Sequence, residues 1–350
     1  MEKRICRSTG LELSAIGLGV WSFGGGDYWG DVAQEDADRA IRVAMDAGIS
    51  YFDTAELYNE GRSELSLGKA IRGLPRDKMV IGSKVGPQNC YPGTLEEHCE
   101  ASLKRLGTDY IDLYMVHWPL HSYALSAFTD KKELIQNPPD AAEAFHALER
   151  LQKQGKIRHI GVSNFGIDFL EEVPEGISVA ANQVAYSLLS RGPEFEVQKY
   201  SRDNGIGLIA YMALHQGLLT GKFESLKEVP PIRMRTRHFA PHRSPGSRHG
   251  EPGCETETLA LLEGMRKLSK ESGISMQRLA LQWILANEDI TCTLIGVRNG
   301  EQVRDNLRGL DESLPGDVYR ELTRLSDPVK NYIGNHMDVF SSAENDRSLK

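Results

Sequence analysis

No apolar run in this 350-residue chain approaches the roughly 20 residues that a membrane-crossing helix needs. The opening Met1-Glu2-Lys3-Arg4-Ile5-Cys6-Arg7 carries charge with no apolar stretch behind it, so it does not read as a secretory signal. Cysteine is scarce: Cys6, Cys90, Cys99, Cys254 and Cys292 are all there is. The number is odd and no C-x-x-C occurs, which leaves neither a disulfide framework nor a zinc ribbon. A reducing cytoplasm is the simplest setting. Positive charge is also in deficit. The 41 basic residues against 49 acidic ones give −8, which opposes general affinity for nucleic acid or for an anionic membrane. No group of residues has metal-ligand spacing, so no metal is expected. No internal repeat appears beyond an alternation of strand and helix.

That alternation runs from end to end. Eight short apolar segments read as strands: Ala15 to Val20, Ile49 to Asp53, Met79 to Val85, Tyr110 to Val116, Lys156 to Val162, Ala180 to Ala185, Ile206 to Tyr211 and Cys292 to Val297. Near-continuous apolar runs are expected where both faces of a parallel sheet are covered. Between them the spacing turns helical. Met276, Leu279, Ala280 and Trp283 fall at i, i+3, i+4 and i+7 behind a Ser275 cap. Thr94 with Glu97 reads as a capping box. Eight alternations favour a closed (β/α)₈ barrel. The rival open, doubly wound sheet would want G-x-G-x-x-G after its first strand, and Gly17-Leu18-Gly19 lacks the third glycine. Lys3 to Cys6 and Leu11 to Leu13 read as a hairpin able to plug the bottom of the barrel. We expect one barrel domain over 1–325 and a polar extension over 326–350, its last ten residues mobile. Two connections, 119–140 and 222–255, are too long for plain loops. Both leave C-terminal strand ends, where barrels keep their active sites.

Polar residues stand at those strand ends. Asp53 closes the second strand and Tyr58 follows it. Lys84 lies in the third and His117 ends the fourth. A lysine in a buried strand is costly without a partner. Taken singly, Asp53 also suits a helix cap, His117 a hydrogen-bonded core position and Tyr58 an ordinary loop. Together, at the tops of three adjacent strands, they suggest a site.

Longer motifs surround these four residues. Phe52-Asp53-Thr54-Ala55-Glu56-Leu57-Tyr58 leads into Gly61-Arg62-Ser63-Glu64 and Leu67-Gly68. Leu106 runs to His117-Trp118-Pro119, and Lys156 runs to Gly161-Val162-Ser163-Asn164-Phe165. From Leu13 to about Leu310 the chain resembles the aldo-keto reductase family. Trp21-Ser22-Phe23-Gly24-Gly25 and Gly217-Leu218-Leu219-Thr220-Gly221-Lys222 look like its bacterial sugar- and polyol-linked branch, which also resembles potassium channel β subunits.

The resemblance implies an NADP(H)-dependent oxidoreductase acting on a small aldehyde, ketone or sugar carbonyl. Tyr58 would be the general acid, helped by Lys84, which should lower its pKa from about 10. Asp53 would hold Lys84 charged, and His117 would orient the carbonyl oxygen. Substrate would also meet Trp21 and Trp118. The cofactor would meet Val20, Trp21, Asp53, Ser163, Asn164 and Gln183, with Tyr211 stacked on the nicotinamide. Leu214, Gly217 and Leu218 would follow the pyrophosphate. Gly296, Val297, Arg298, Gln302 and Asn306 would grip the adenosine end, Arg298 taking the 2′-phosphate. The family's usual Ser-Pro-Leu after the stacking aromatic is Met212-Ala213-Leu214 here, and its proline before Gly296 is Ile295.

Arg233, Arg235, Arg237, Arg243 and Arg248, with His238, His242 and His249, crowd the 222–255 connection. They read as a clamp on cofactor phosphates, a patch steering anionic substrates, or a solvated loop. His121 and Tyr123 are candidate substrate walls. Two further readings stay open: a slow-turnover, NADPH-binding redox-sensing subunit, and a barrel lyase with Lys84 as Schiff base. A homo-oligomer is compatible with all of them.

Overall fold

A computed structural model describes residues 1–350. Ten strands form: β1 (Lys3–Cys6), β2 (Leu11–Ser14), β3 (Ile16–Gly19), β4 (Tyr51–Asp53), β5 (Val80–Val85), β6 (Ile111–Val116), β7 (Ile157–Ser163), β8 (Val179–Ala185), β9 (Gly207–Tyr211) and β10 (Ile290–Gly296). Strands β3 to β10 are parallel neighbours in chain order, and β10 closes on β3. The eight barrel strands match the eight apolar segments within a residue or two at each end. The open-sheet alternative is thereby excluded.

Two apolar layers hold the barrel. The larger lies between strands and surrounding helices and contains Ile41, Leu103, Phe145 and Trp283. The smaller fills the barrel's interior. There Tyr51, Leu113, Met115, Ile209 and Leu294 meet Cys6, Leu11 and Leu13 from the antiparallel β1–β2 hairpin. The hairpin therefore stoppers the bottom of the barrel, leaving its top for chemistry. Tyr51 crosses the interior because Gly82 offers no Cβ to oppose it.

Local start signals behave unevenly. Ser275 caps its helix by accepting from the Arg278 N–H at 3.3 Å. The Thr94–Glu97 box does not form. Gly93, at φ 82°, turns the chain one residue earlier, so Thr94 is already helical. The Glu96 carboxylate then takes the Gly93 N–H at 2.7 Å.

The polar tail packs against the rest of the chain. Helix Gly316–Ile333 runs unbroken across residue 325, and the residues beyond it fold back over the barrel's top. Asp338, Arg347 and Ser348 are buried. Arg347 and Asp338 form a two-point ion pair at 2.6 and 2.9 Å, and the Gly166 N–H donates to the Ser348 carbonyl at 2.8 Å. The tail also zips onto the 222–255 connection through Arg237 N–H to the Val339 carbonyl and a bridge between Arg248 and Ser341. Satisfied polar pairs order a segment that composition alone marks as solvated. No helix is long and apolar enough to cross a membrane, and all five cysteines are free and buried.

Candidate active site

The strand tops open into a cavity of about 1150 Å³. Its floor is a buried polar chain. Lys84, fully enclosed, donates to Asp53 Oδ2 at 2.8 Å, to the Thr54 carbonyl at 2.9 Å and to the Tyr58 hydroxyl at 3.2 Å. All three ammonium protons are therefore placed. Asp53 is itself held from two sides: the Tyr51 hydroxyl and Gln183 Nε2 both donate to its Oδ1, at 3.1 and 2.7 Å. Register explains the meeting. Asp53 pairs with Gly82 across β4–β5, and Lys84 follows two residues on along the same face.

Electrostatics sorts the charges. Burial alone would strip Lys84 of its proton, but Asp53 first, then Tyr58, raise its pKa above the ordinary lysine value. Burial also pushes the Tyr58 phenol up, and the nearby Lys84 ammonium only partly pulls it back. The expected lowering of Tyr58 is thus not the net result, because desolvation of the phenolate outweighs one ammonium. His117 is held well below the usual histidine range by burial, then by the cations Lys84 and Arg347. Its ring sits edge-on to Tyr58, centroids 5.6 Å apart, and its Nδ1 is buried without a partner.

Around this floor stand most of the residues singled out above. Trp21 tilts over Tyr58 at 5.7 Å between ring centroids. Ser163, Asn164 and Gln183 line one side. Asn164 sits in the left-handed region at φ 63°, donating to Ser163 Oγ at 2.9 Å and accepting from the Tyr211 hydroxyl at 2.7 Å. Leu214, Gly217, Gly296, Val297, Arg298, Gln302 and Asn306 line the far end. Val20 and Leu218 do not. Both side chains are buried in the apolar layer between strands and helices, so at most their backbones approach the cavity.

The arginine-rich connection divides. Arg237 and Arg243 are held by Glu251 and Glu255 and serve the loop itself. His238 and His249 are buried in it, and His238 packs on His215. Arg233, Arg235 and Arg248 line the cavity. His121 and Tyr123 are not walls of this cavity; they border a smaller one of about 330 Å³ under the tail. Trp118 does line the main cavity, joined by Trp29, Phe128, Phe340, Lys222 and Arg347, which the sequence reading did not assign. Lys222 ends a segment already singled out, so a basic residue beside a glycine turn was a usable signal. For Arg347, fourth residue from the end, there was none.

The aldo/keto reductase family model matches residues 15–327. The NADH-specific methylglyoxal reductase of Escherichia coli is 33% identical, the alignment covering 90% of this chain and 95% of that protein. Among solved structures, an aldo-keto reductase from Klebsiella pneumoniae in complex with NADPH is 27% identical at a TM-score of 0.69, covering 93% of this chain and 95% of that one. The glycerol dehydrogenase from Gluconobacter oxydans is 26% identical at a TM-score of 0.72, covering 95% and 96%.

Proposed function

Since the chain belongs to the aldo/keto reductase family, we propose that it is an NADP(H)-dependent oxidoreductase interconverting a small aldehyde, ketone or sugar carbonyl and its alcohol. The observation that carries this reading is the buried Asp53–Lys84–Tyr58 chain, ending in a cavity beside His117.

The cavity suits the cofactor in shape and charge. Tyr211 gives a flat wall beside the amide side chains of Asn164 and Gln183, which suit a nicotinamide carboxamide. Gly217, at φ 95°, leaves a cradle. A Cβ there would come within 2.7 Å of Lys222 Nζ. Lys222, Arg233 and Arg298 gather at that end, and the Lys222 ammonium is pushed below its ordinary value by burial and then by the two arginines. Three cations suit the pyrophosphate and a 2′-phosphate. This supports NADPH over NADH, although the Escherichia coli relative is named NADH-specific. When bound, the nicotinamide supplies or accepts the hydride.

The chain's own residues handle the proton. Because Lys84 donates to the Tyr58 oxygen, the phenol's own proton remains free for a substrate oxygen. Tyr58, protonated near neutrality, gives that proton to the developing alkoxide, while the adjacent ammonium stabilises the phenolate left behind. In the oxidative direction Tyr58 takes the alcohol proton. Asp53 keeps Lys84 charged and aimed. His117, kept neutral, can donate one hydrogen bond to the carbonyl oxygen and orient it. Trp21 and Trp118 act as apolar walls. The slow-turnover alternative draws no support from the relatives, which bear the names of reductases and a dehydrogenase. The free, buried cysteines suit a reducing cytoplasm.

Tyr58→Phe removes the acid and little else. Turnover of any reducible aldehyde should fall by about two orders of magnitude or more, while NADPH titrated by fluorescence quenching should bind nearly as before. Near-normal turnover in this variant would end the acid–base assignment.

A further inference from the structure

Arg235, Arg248 and Arg347 line the same cavity and come from two remote segments. One carboxylate, Asp338, stands among them, and Arg347 already takes both its oxygens, at 2.6 and 2.9 Å. Arg248 is held below the ordinary arginine value by burial, then by Arg347, with Arg235 adding to it and Asp338 opposing. The Nε of Arg235 is buried without a hydrogen-bond partner, and its guanidinium lies between the rings of Tyr28 and Phe340, at 5.4 and 5.7 Å. Crowding three guanidinium groups around one committed carboxylate is unfavourable unless a further anion visits.

Position separates Arg347 and Arg248 from the other basic cluster, and Arg235, against Tyr28, lies between the two. Lys222, Arg233 and Arg298 gather about Gly217, on the stretch assigned to the cofactor. Arg347 instead lies over Trp118 at 3.9 Å and 6.0 Å from the Phe128 ring, and Phe128 is 6.4 Å from the His117 ring. The guanidinium is therefore one aromatic ring removed from the residue placed to meet the carbonyl oxygen. A substrate bound at His117 and Tyr58 would extend between Trp118, Phe128 and Trp21 toward Arg347 and Arg248.

We propose that Arg235, Arg248 and Arg347 form an anion subsite, and that the preferred carbonyl substrate carries a carboxylate or phosphate remote from its reacting carbon. This rests on the reductase reading above. Arg347 supplies a guanidinium aimed by Asp338, and Arg248 and Arg235 supply uncommitted charge. The C-terminal tail is then part of the substrate site, because it delivers one of the three charges.

Two matched pairs test the idea, with NADPH oxidation followed at 340 nm: 4-carboxybenzaldehyde against its methyl ester, and glyceraldehyde 3-phosphate against glyceraldehyde. The wild type should favour the charged member of at least one pair by about tenfold or more in kcat/KM, the size expected for one charge-assisted contact. The favoured pair tells carboxylate from phosphate. Arg248→Gln should collapse that preference by a similar factor, mainly through KM. Arg248 is the cleaner variant, because Arg347→Gln would also unpair Asp338 and loosen the tail. A direct readout needs no turnover: succinate and inorganic phosphate titrated into the NADP⁺-loaded protein by calorimetry, with Arg248→Gln expected to weaken whichever binds. Anion binding lost in Arg248→Gln, without turnover of any aldehyde, would uphold the subsite and break the reductase reading. Turnover with no charge preference, and no anion binding, would break the subsite and leave the reductase reading standing. If Arg248→Gln weakens NADPH as much as it weakens the anion, the arginines serve the cofactor and the proposal is overturned.

Discussion

The centre of this site and its rim are built in opposite ways. Asp53, Lys84 and His117 stand at the ends of adjacent strands β4, β5 and β6, where strand register dictates who meets whom. Arg235, Arg248 and Arg347 come from a long connection and from the last residues of the chain. Their meeting depends on how two irregular segments zip together. In the centre each charge has a fixed partner: Lys84 spends its three protons on Asp53, Thr54 and Tyr58. At the rim, cations outnumber the anions that answer them. A buried chain of paired charges wants an invariant geometry, and strands supply it. Charge recognition tolerates looser placement and can be rewritten by changing loops, as barrel enzymes allow.

The sharpest way to break the centre is Lys84→Met. It removes the cation that supports the phenolate and leaves Asp53 buried with one strong partner fewer. Turnover should drop by about two to four orders of magnitude, and stability by about 3–5 kcal/mol, the usual cost of orphaning one member of a buried pair. Measuring kcat against pH together with a urea midpoint separates the two effects. Survival of both the rate and its pH dependence would make Lys84 a purely structural residue.

The next effect falls at the cofactor end. Arg298→Ala should weaken NADPH by about tenfold and NADH very little, since NADH presents no 2′-phosphate. The guanidinium is anchored only by its place 5.5 Å over Trp29, so its loss leaves the local fold intact. Lys222 and Arg233 will blunt the loss. Combining Arg298→Ala with Lys222→Ala should deepen it. Equal weakening of both cofactors would make Arg298 a shape-setting residue, and the preference for the phosphorylated cofactor would have to rest elsewhere.

The smallest effect concerns the rim's support. His238 is enclosed under the arginine-rich connection, and burial lowers its pKa from 6.5 to about 4. His215, against it, is lowered further by the same cause and by His238 itself. A base whose folded pKa is depressed costs stability where the unfolded chain takes up protons and the folded one does not. The loss should therefore begin below about pH 6.5 and grow down to about pH 4. His117, held low by burial at the cavity floor, adds to the trend, and His98, raised by its hydrogen bond to Glu56, opposes it. Urea midpoints at pH 7 and pH 5 should show a modest fall at pH 5. An unchanged midpoint would mean that these rings are solvated or rearrange at little cost.

Legibility follows the same division. Asp53, Tyr58, Lys84 and His117 lie in or just after apolar strands within ordered motifs, so a linear reading brings them together. Asn164, Gln183 and Tyr211 share that advantage, since each stands within two residues of a strand end. Val20 and Leu218 turn their side chains into the apolar layer, and a motif tells which backbone passes the cavity but not which way a side chain turns. His121 and Tyr123 were placed on the right connection but on its wrong side. The arginine-rich stretch was read as one feature, and carboxylates on neighbouring segments split it into loop braces and cavity cations.

What the amino-acid order determined by itself is the barrel and the residues at its strand tops. Strand periodicity and two-residue alternation are local rules that mark the strands, and the family resemblance implied that Lys84 meets Asp53. Tertiary structure alone decided the fate of the tail and of the uncommitted arginines. Nothing near Arg347 in sequence says that Asp338 will fix it over Trp118. That outcome depends on a buried ion pair between two segments of irregular backbone, whose energy appears only once the rest of the barrel has closed beneath them.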